Sequence, residues 1–178
     1  MIRTAHELGC DTFVHISFPR HMSYETMSRR VAIMKEACNE FGMKFEMETA
    51  PDPTTDVGVP GAQAYILEHV PEWIEKYGTN SAYFCTNDAH TEPLLKMLLE
   101  HGGYFIEADL PSPLMGYPGA LGIDLTAEAG DFEKILAKVE AAVVEKGGAG
   151  RFGTWAYSYG YTVSAGLAEH ARNVILGN

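Results

Sequence analysis

The feature that most constrains the fold is a regular alternation of two patterns along the chain. Short apolar runs, such as residues 12–16 and 81–85, alternate with longer segments in which apolar residues recur every three or four positions. The short runs predict buried strands, and the longer segments predict amphipathic helices. Such strands and helices are joined by right-handed crossovers, so the sheet should be largely parallel and covered on both faces.

These patterns predict six strands and six helices. The strands are placed at residues 12–16, 44–49, 81–88, 104–108, 119–124 and 152–157, and the helices at 4–8, 24–41, 62–77, 88–102, 128–146 and 160–175. We expect the third helix to be kinked or restarted at Pro71, and the Pro-rich segment 50–61 to be irregular. The second strand alternates polar and apolar residues, which is typical of an edge strand. The prediction is one α/β domain over residues 1–178, a three-layer α/β/α sandwich of flavodoxin-like type with a mainly parallel sheet.

Charge argues against nucleic acid and membrane surfaces as partners. The chain carries 13 basic and 24 acidic side chains, a net charge of -11, and this field repels phosphate backbones and anionic lipid. No apolar run approaches the ~20 residues that would cross a bilayer. The first residues are too polar for a signal peptide, so the chain as it stands suits the cytosol. The three widely spaced cysteines favour buried, reduced thiols over a disulfide framework.

Polar side chains follow four of the predicted strands. Ligands of parallel α/β sheets bind at the carboxyl ends of the strands, so these residues are the candidates for a shared site. They are Arg20 and His21 after the first strand, Asn87 and Asp88 after the third, Asp124 after the fifth, and Tyr157 and Ser158 after the sixth. The set suits a small polar ligand with hydroxyl or carboxylate groups.

Each of these residues also has a structural explanation. Arg20 could pair with an acidic neighbour at the surface, and Asn87 with Asp88 could cap the following helix. Asp124 could cap a helix entered at Thr126, and Tyr157 could be a core aromatic. From the residues alone, these alternatives stay open.

Known catalytic motifs are largely missing from the sequence. It has no G-x-G-x-x-G after the first strand, no P-loop and no G-x-S-x-G elbow. The histidines and cysteines lack the spacing of zinc ligands. We therefore expect a protein that binds a small molecule rather than an enzyme, without metal or cofactor. A small α/β enzyme using His21 or His90 for acid–base chemistry is the alternative from another class.

The order of these segments resembles the second lobe of type 1 periplasmic-binding proteins and their repressor relatives. The resemblance is carried by residues 7–42, by the strand and Asn-Asp pair of residues 82–103, by the Gly-x-Asp segment 119–125 and by residues 153–171. Segments such as "FPRHMS" are most similar to an uncharacterised bacterial family, a domain of unknown function, on this scaffold. The resemblance covers nearly the whole chain.

The resemblance implies a fold, a function and a set of ligand contacts. It implies a solute-binding module like the C-terminal lobe of the receptor of an ABC uptake system, which would be extracytoplasmic, or alternatively the effector-sensing domain of a LacI-like transcription regulator. The ligand would be a small polar molecule such as a sugar, nucleoside or carboxylate, and a transporter permease is an implied partner. The implied contacts are Arg20, His21, Arg29, Arg30, Asn87, Asp88, Asp124, Tyr157 and Ser158.

The resemblance also implies a missing partner for the last helix. Type 1 binding proteins clamp the ligand between two lobes, whereas this chain corresponds to the second lobe only. The closing helix 160–175 carries an apolar stripe including Leu167 and Val174 that needs a cover. We expect a missing N-terminal lobe or a second copy of the chain to supply it, or the helix to fold onto its own domain. A lone lobe should bind its ligand weakly.

Overall fold

The computed structural model describes residues 1–106, 112–154 and 159–177, and it confirms the predicted fold class. Three parallel strands form the centre of a sheet flanked by helices, as in a flavodoxin-like three-layer sandwich. The strands are β1 (Thr12–Ser17), β2 (Lys44–Thr49) and β3 (Ser81–Cys85). The helices are α1 (Ile2–Glu7), α2 (Pro19–Met22), α3 (Glu25–Glu40), α4 (Gly58–Tyr77), α5 (Asp88–His101), α6 (Tyr117–Leu121), α7 (Phe132–Glu145) and α8 (Tyr159–Leu176).

The sheet order is β2-β1-β3, and single parallel bridges extend it beyond β3. Ala82 bridges to Tyr104, and Phe105 bridges to Phe152, so the fourth and last predicted strands join the sheet in that order. The chain therefore moves from β1 to one side to form β2, then returns to the other side of β1 to form β3. That reversal creates a topological switch point between β1 and β3, where ligands bind in folds of this order.

The strands direct alternate side chains into two separate cores. Val14 and Ile16 of β1 pack with the apolar faces of α4, α5 and α7 on one side of the sheet. Phe13 of β1 packs with α1 and α3 on the other side, where Met34 and Cys38 supply the inward face of α3. Side chains along a strand point alternately to its two faces. Because both faces of β1 are buried, its sequence is an apolar run rather than an alternation of polar and apolar residues. All three cysteines are buried, as predicted.

Several predicted elements differ from the structure. The strand predicted at residues 81–88 ends at Cys85, and the helix predicted at residues 128–146 spans Phe132–Glu145. Residues 119–124 were predicted as a strand, but Gly119 lies in α6, because Pro118 fixes a helical φ near the helix start and Gly122 ends it with φ +69°. The third predicted helix begins at Gly58 rather than at residue 62, and it continues through Pro71 as one helix.

The edge strand β2 is only partly as predicted. It pairs with β1 alone among the described residues, which confirms an edge position. Met47, expected on the packed face, is exposed, whereas Glu48 on the other face is covered by α4. Glu48 accepts hydrogen bonds from Lys76 Nζ at 3.0 Å and Tyr77 Oη at 2.5 Å, so an acidic side chain of β2 is held under a helix.

Helix α8 has no buried residue along its length. It approaches α7 at its first turn, where the Tyr161 and Phe132 rings lie 6.3 Å apart. Leu167 is 65% exposed and Val174 63% exposed, so the structure does not show the helix folded onto its own domain. Among the described residues, no helix combines the length and the apolar character needed to cross a bilayer.

Candidate functional site

The carboxyl ends of β1 and β3 are joined by a hydroxyl network. Ser17 Oγ, at the end of β1, lies 2.8 Å from Thr86 Oγ1, directly after β3. Thr86 Oγ1 also lies 3.0 Å from His21 Nδ1, which follows β1. Ser17 is 2% exposed, so its hydroxyl depends on this contact. The switch point therefore carries a group of polar side chains and one aromatic ring, which we call the strand-end cluster: Ser17, Phe18, Arg20, His21, Tyr24, Asp52, Thr86 and His90.

The loop after β2 joins the strand-end cluster through an ion pair. Arg20 Nε donates to Asp52 Oδ2 at 2.6 Å, and a terminal nitrogen of Arg20 donates to Asp52 Oδ1 at 3.0 Å. The other terminal nitrogen of Arg20 donates to Tyr24 Oη at 3.0 Å. Asp52 Oδ1 also accepts from the backbone nitrogen and the hydroxyl of Thr54, at 2.9 and 2.8 Å. These donors hold the pKa of Asp52 well below its usual range.

Helix α5 contributes a fully buried histidine to the same region. His90 Nε2 lies 3.1 Å from the carbonyl oxygen of Pro51, which can only accept, so Nε2 carries the proton. Its Nδ1 is buried without a hydrogen-bond partner among the described residues. The Phe18 ring lies tilted against that of His21, with ring centres 4.1 Å apart, and it meets the His90 ring edge-on at 5.9 Å. Burial lowers the pKa of His90 and of His21, and the charge of Arg20 lowers that of His21 further.

Asn87 lies next to the strand-end cluster and caps the helix that follows it, which is the structural explanation that the sequence offered. Its Oδ1 accepts from the backbone nitrogen of Ala89 at 2.9 Å, which makes it the N-cap of α5. Asp88 is exposed in the first turn of α5. Capping uses only the side-chain oxygen of Asn87, so its amide nitrogen stays able to donate.

The remaining predicted contacts lie elsewhere. Asp124 follows α6 and accepts from the nitrogen and hydroxyl of Thr126 at 2.9 and 2.5 Å, so it stabilises the turn that leads into a short 3₁₀ helix, Thr126–Glu128. Arg29 is exposed on α3, and the Arg30 guanidinium lies 4.6 Å from the centre of the Phe84 ring on the α3 side of the sheet. Tyr157 and Ser158 fall outside the described residues.

The structure adds residues to the site that the sequence analysis did not select. Asp52 lies in the segment predicted to be an irregular loop. Thr86 directly precedes Asn87 and Asp88, and only those two were selected from the end of that strand. One signal was present in the sequence. The segment Asp52-Pro-Thr-Thr follows an edge strand directly, in the same position relative to β2 as Arg20 has relative to β1.

The strand-end cluster has the chemistry of a binding site. It offers hydroxyls, an imidazole, a guanidinium and the half-exposed ring of Tyr24 at the switch point. Across residues 1–106, 112–154 and 159–177, no group of three His, Cys, Asp or Glu side chains could hold a metal ion. The arrangement therefore suits recognition of a small polar molecule by hydrogen bonds.

A concave surface lies at the other edge of the sheet. A cavity of about 470 Å³ opens between α7 and residues 148–154, and its lining is mostly apolar, including Leu136, Val139 and Phe152. Tyr117 donates from its hydroxyl to the carbonyl oxygen of Gly153 at 2.7 Å across its base. Its described lining residues are mostly apolar and do not form the convergent polar set that orients a polar ligand.

The sequence matches the DUF3798 family, described as "Protein of unknown function", over residues 1–153. The chain belongs to this family. A Treponema pallidum (strain Nichols) relative described as "Uncharacterized protein" is 41% identical over 140 residues, which are 79% of this chain and 62% of the relative. A second protein of that organism, with the same description, is 43% identical over 49 residues, 28% of this chain and 22% of its own. The chain thus spans less than two thirds of the relatives it matches.

The fold also resembles that of a longer protein of known structure. A crystal structure described as a "Putative transcriptional regulator" from Clostridium difficile 630 superposes with a TM-score of 0.87 at 21% sequence identity. The match covers 99% of this chain and 50% of that chain. The described part of this chain therefore has the fold of one half of a protein about twice as long.

Proposed function

We propose that this DUF3798 protein is one lobe of a two-lobed small-molecule-binding protein of the type 1 periplasmic-binding kind, acting as a solute-binding module of an uptake system. The observation that carries the proposal is the hydroxyl contact between Ser17 and Thr86, 2.8 Å long, which joins the ends of β1 and β3 at the switch point. Around it, Asp52 and Thr86 reach Arg20 and His21 from segments far apart in sequence. A cluster of this kind at this position favours ligand binding over a purely structural role.

The exposed helix α8 supports the two-lobed part of the proposal. Val163, Leu167 and Val174 recur along one side of the helix and are 42%, 65% and 63% exposed. A row of exposed apolar side chains is characteristic of an interaction surface. The first lobe of a longer homologue, or a second copy of this chain, would cover it.

A second function is favoured by one comparison. The longer protein that shares this fold is described as a transcriptional regulator, and a lobe that senses an effector would use the same site. In that case the chain would bind a metabolite to control another domain rather than to deliver it to a permease. The two roles share the prediction that a small molecule binds at the strand-end cluster.

The binding role is tested by titration with sugars, nucleosides and carboxylates, followed by ¹H–¹⁵N correlation spectra of the labelled chain. We expect shifts of the non-proline amides within residues 17–21, 52–54 and 86–90, and only a small rise in thermal stability, because a single lobe covers only one side of a ligand. A large thermal shift would contradict the half-cleft view. Shifts confined to other segments, or none with any compound, would contradict the proposed site.

The role of α8 is tested with two variants of the same charge. Leu167→Asp puts a carboxylate into the apolar stripe, whereas Ala165→Asp, also exposed, puts one on another side of the helix. We expect sedimentation velocity to show a dimer for the unmodified chain and for Ala165→Asp, and a monomer for Leu167→Asp. A monomer for the unmodified chain would exclude a second copy as the cover of α8.

A further inference from the structure

The charge of Arg20 is already neutralised inside the strand-end cluster. Asp52 takes two of the five N–H donors of its guanidinium, in the forked geometry that a ligand carboxylate would need. The Asp52 side chain is 10% exposed, and Thr54 satisfies it further through a backbone nitrogen and a hydroxyl. An anionic ligand would have to displace this carboxylate to reach the fork.

The groups of the strand-end cluster that remain available to a ligand are hydrogen-bond donors and acceptors, and together with Asp52 they carry no net positive charge. Two N–H donors of Arg20 have no partner among the described residues, and Tyr24 Oη accepts from Arg20 while its own proton can be donated. His21 uses only Nδ1 in the hydroxyl network, so Nε2 can contact a ligand. The exposed carboxylate of Asp88 adds negative charge at the start of α5. The chain as a whole carries -11, which disfavours anions further.

We propose that the strand-end cluster selects uncharged, hydroxyl-bearing molecules such as sugars and cyclitols, and that Asp52 sets this selectivity by occupying Arg20. The inference rests on the proposed binding function and names its ligand class. Asp52 is a positioning residue, because it acts through Arg20: it engages Nε and one terminal nitrogen of the guanidinium, and one further N–H donates to Tyr24. Two N–H groups are left without a partner among the described residues. A hydroxyl group can accept from those N–H groups without displacing Asp52.

Removing the charge of Asp52 should reverse the selectivity. In Asp52→Asn the side-chain volume is kept, but the counter-charge of Arg20 is lost, so a dicarboxylate can form the two-pronged contact that Asp52 now forms. The matched control is Asp56→Asn, because Asp56 lies in the same loop and is exposed, and the substitution changes the net charge by the same amount. A general effect of net charge would appear equally in both variants.

The experiment titrates succinate and, separately, myo-inositol, D-ribose and D-glucose into the unmodified chain and both variants, followed by ¹H–¹⁵N correlation spectra. We expect at least one of the neutral compounds to shift the amides of residues 17–21 and 86–90 in the unmodified chain and in Asp56→Asn, and succinate to shift neither. In Asp52→Asn we expect succinate to bind at least tenfold more tightly than in the control.

The possible results distinguish a failure of this inference from a failure of the proposed binding function. Succinate binding at residues 17–21 in the unmodified chain, as tight as in Asp52→Asn, would overturn the ligand class and leave the proposed binding function standing. No response to any compound in the unmodified chain would overturn both. Equal succinate binding by Asp52→Asn and Asp56→Asn would overturn the role of Asp52. Far-ultraviolet circular dichroism of each variant confirms that the chain compared is folded.

Discussion

The hydroxyl of Thr86 should stabilise the fold as well as shape the site. It contacts Ser17 Oγ at 2.8 Å and His21 Nδ1 at 3.0 Å. Thr86→Val keeps the shape of the side chain and removes both contacts. A neutral hydrogen bond contributes about 1 kcal/mol, and leaving a buried hydroxyl without a partner costs about 1–3 kcal/mol. Ser17 is 2% exposed and bears that penalty, whereas the half-exposed His21 can turn to water.

We therefore expect Thr86→Val to lower the free energy of unfolding by about 2–3 kcal/mol, measured by urea denaturation. Thr26→Val is the control, since Thr26 is exposed on α3 and a surface change of this kind costs about 0.5 kcal/mol or less. In a Ser17→Ala background, Thr86→Val should cost about 1 kcal/mol less, because no buried hydroxyl is left behind. Equal costs for Thr86→Val and Thr26→Val would refute a hydrogen-bonded connection between β1 and β3.

Two further predictions concern the cores. Gly148→Ala places a Cβ 2.7–3.0 Å from three packed side chains and should lower the free energy of unfolding by about 1–3 kcal/mol in urea denaturation. Gly160→Ala lies in open space on α8 and should leave that free energy unchanged. Equal effects of the two substitutions would contradict the packing at Gly148. Burial, with nearby positive charges, lowers the pKa of His15 from 6.5 to about 4, so its neutral form stabilises the fold fully above pH 6.5, and that stability is lost as the pH falls toward 4. His15→Leu should flatten the fall of the urea midpoint between pH 6.5 and 4, and an unchanged slope would assign the pH dependence to other groups.

The positive charges near His15 also explain why its titration differs from that of an exposed histidine. Its ring lies 5.4 Å from that of Phe84 and 6.1 Å from that of Phe45, and its Nδ1 is buried without a hydrogen-bond partner in the described part of the chain. Arg30 and Lys35 on α3 add unfavourable charge to the protonated form. Acid thus weakens the α3 side of the sheet, and the lowered pKa of His90 makes the same contribution on the α5 side.

Periodicity predicted the parts of the fold whose side chains are sorted by burial. β1 and β3 are buried on both faces, and α7 buries Ile135, Val139 and Val143 at the predicted spacing. The segment at residues 119–124 was predicted wrongly as a strand, because a short apolar run fits a strand and a buried helical turn equally well. Only the backbone conformations that Pro118 and Gly122 favour decide between them.

The candidate site was predictable in its position but not in its pairings. The rule that ligands bind at the carboxyl ends of strands selected Arg20, His21 and Asn87, which the structure places at or beside one switch point. The partner of Arg20 was not predictable, because Asp52 lies 32 residues away and reaches it only through the parallel pairing of β1 with β2. Asp124 was selected because a strand was predicted before it, and the helix found there leaves its carboxylate bonded to Thr126 in a local turn.

The central claim, that a small polar molecule binds where β1 and β3 end, is tested most directly by a crystal structure of the chain soaked with myo-inositol, D-ribose and D-glucose. We expect ligand density within hydrogen-bond distance of Arg20, His21 or Thr86, with the Arg20–Asp52 ion pair intact. Density only in the apolar groove between α7 and residues 148–154, or a displaced Asp52, would contradict it.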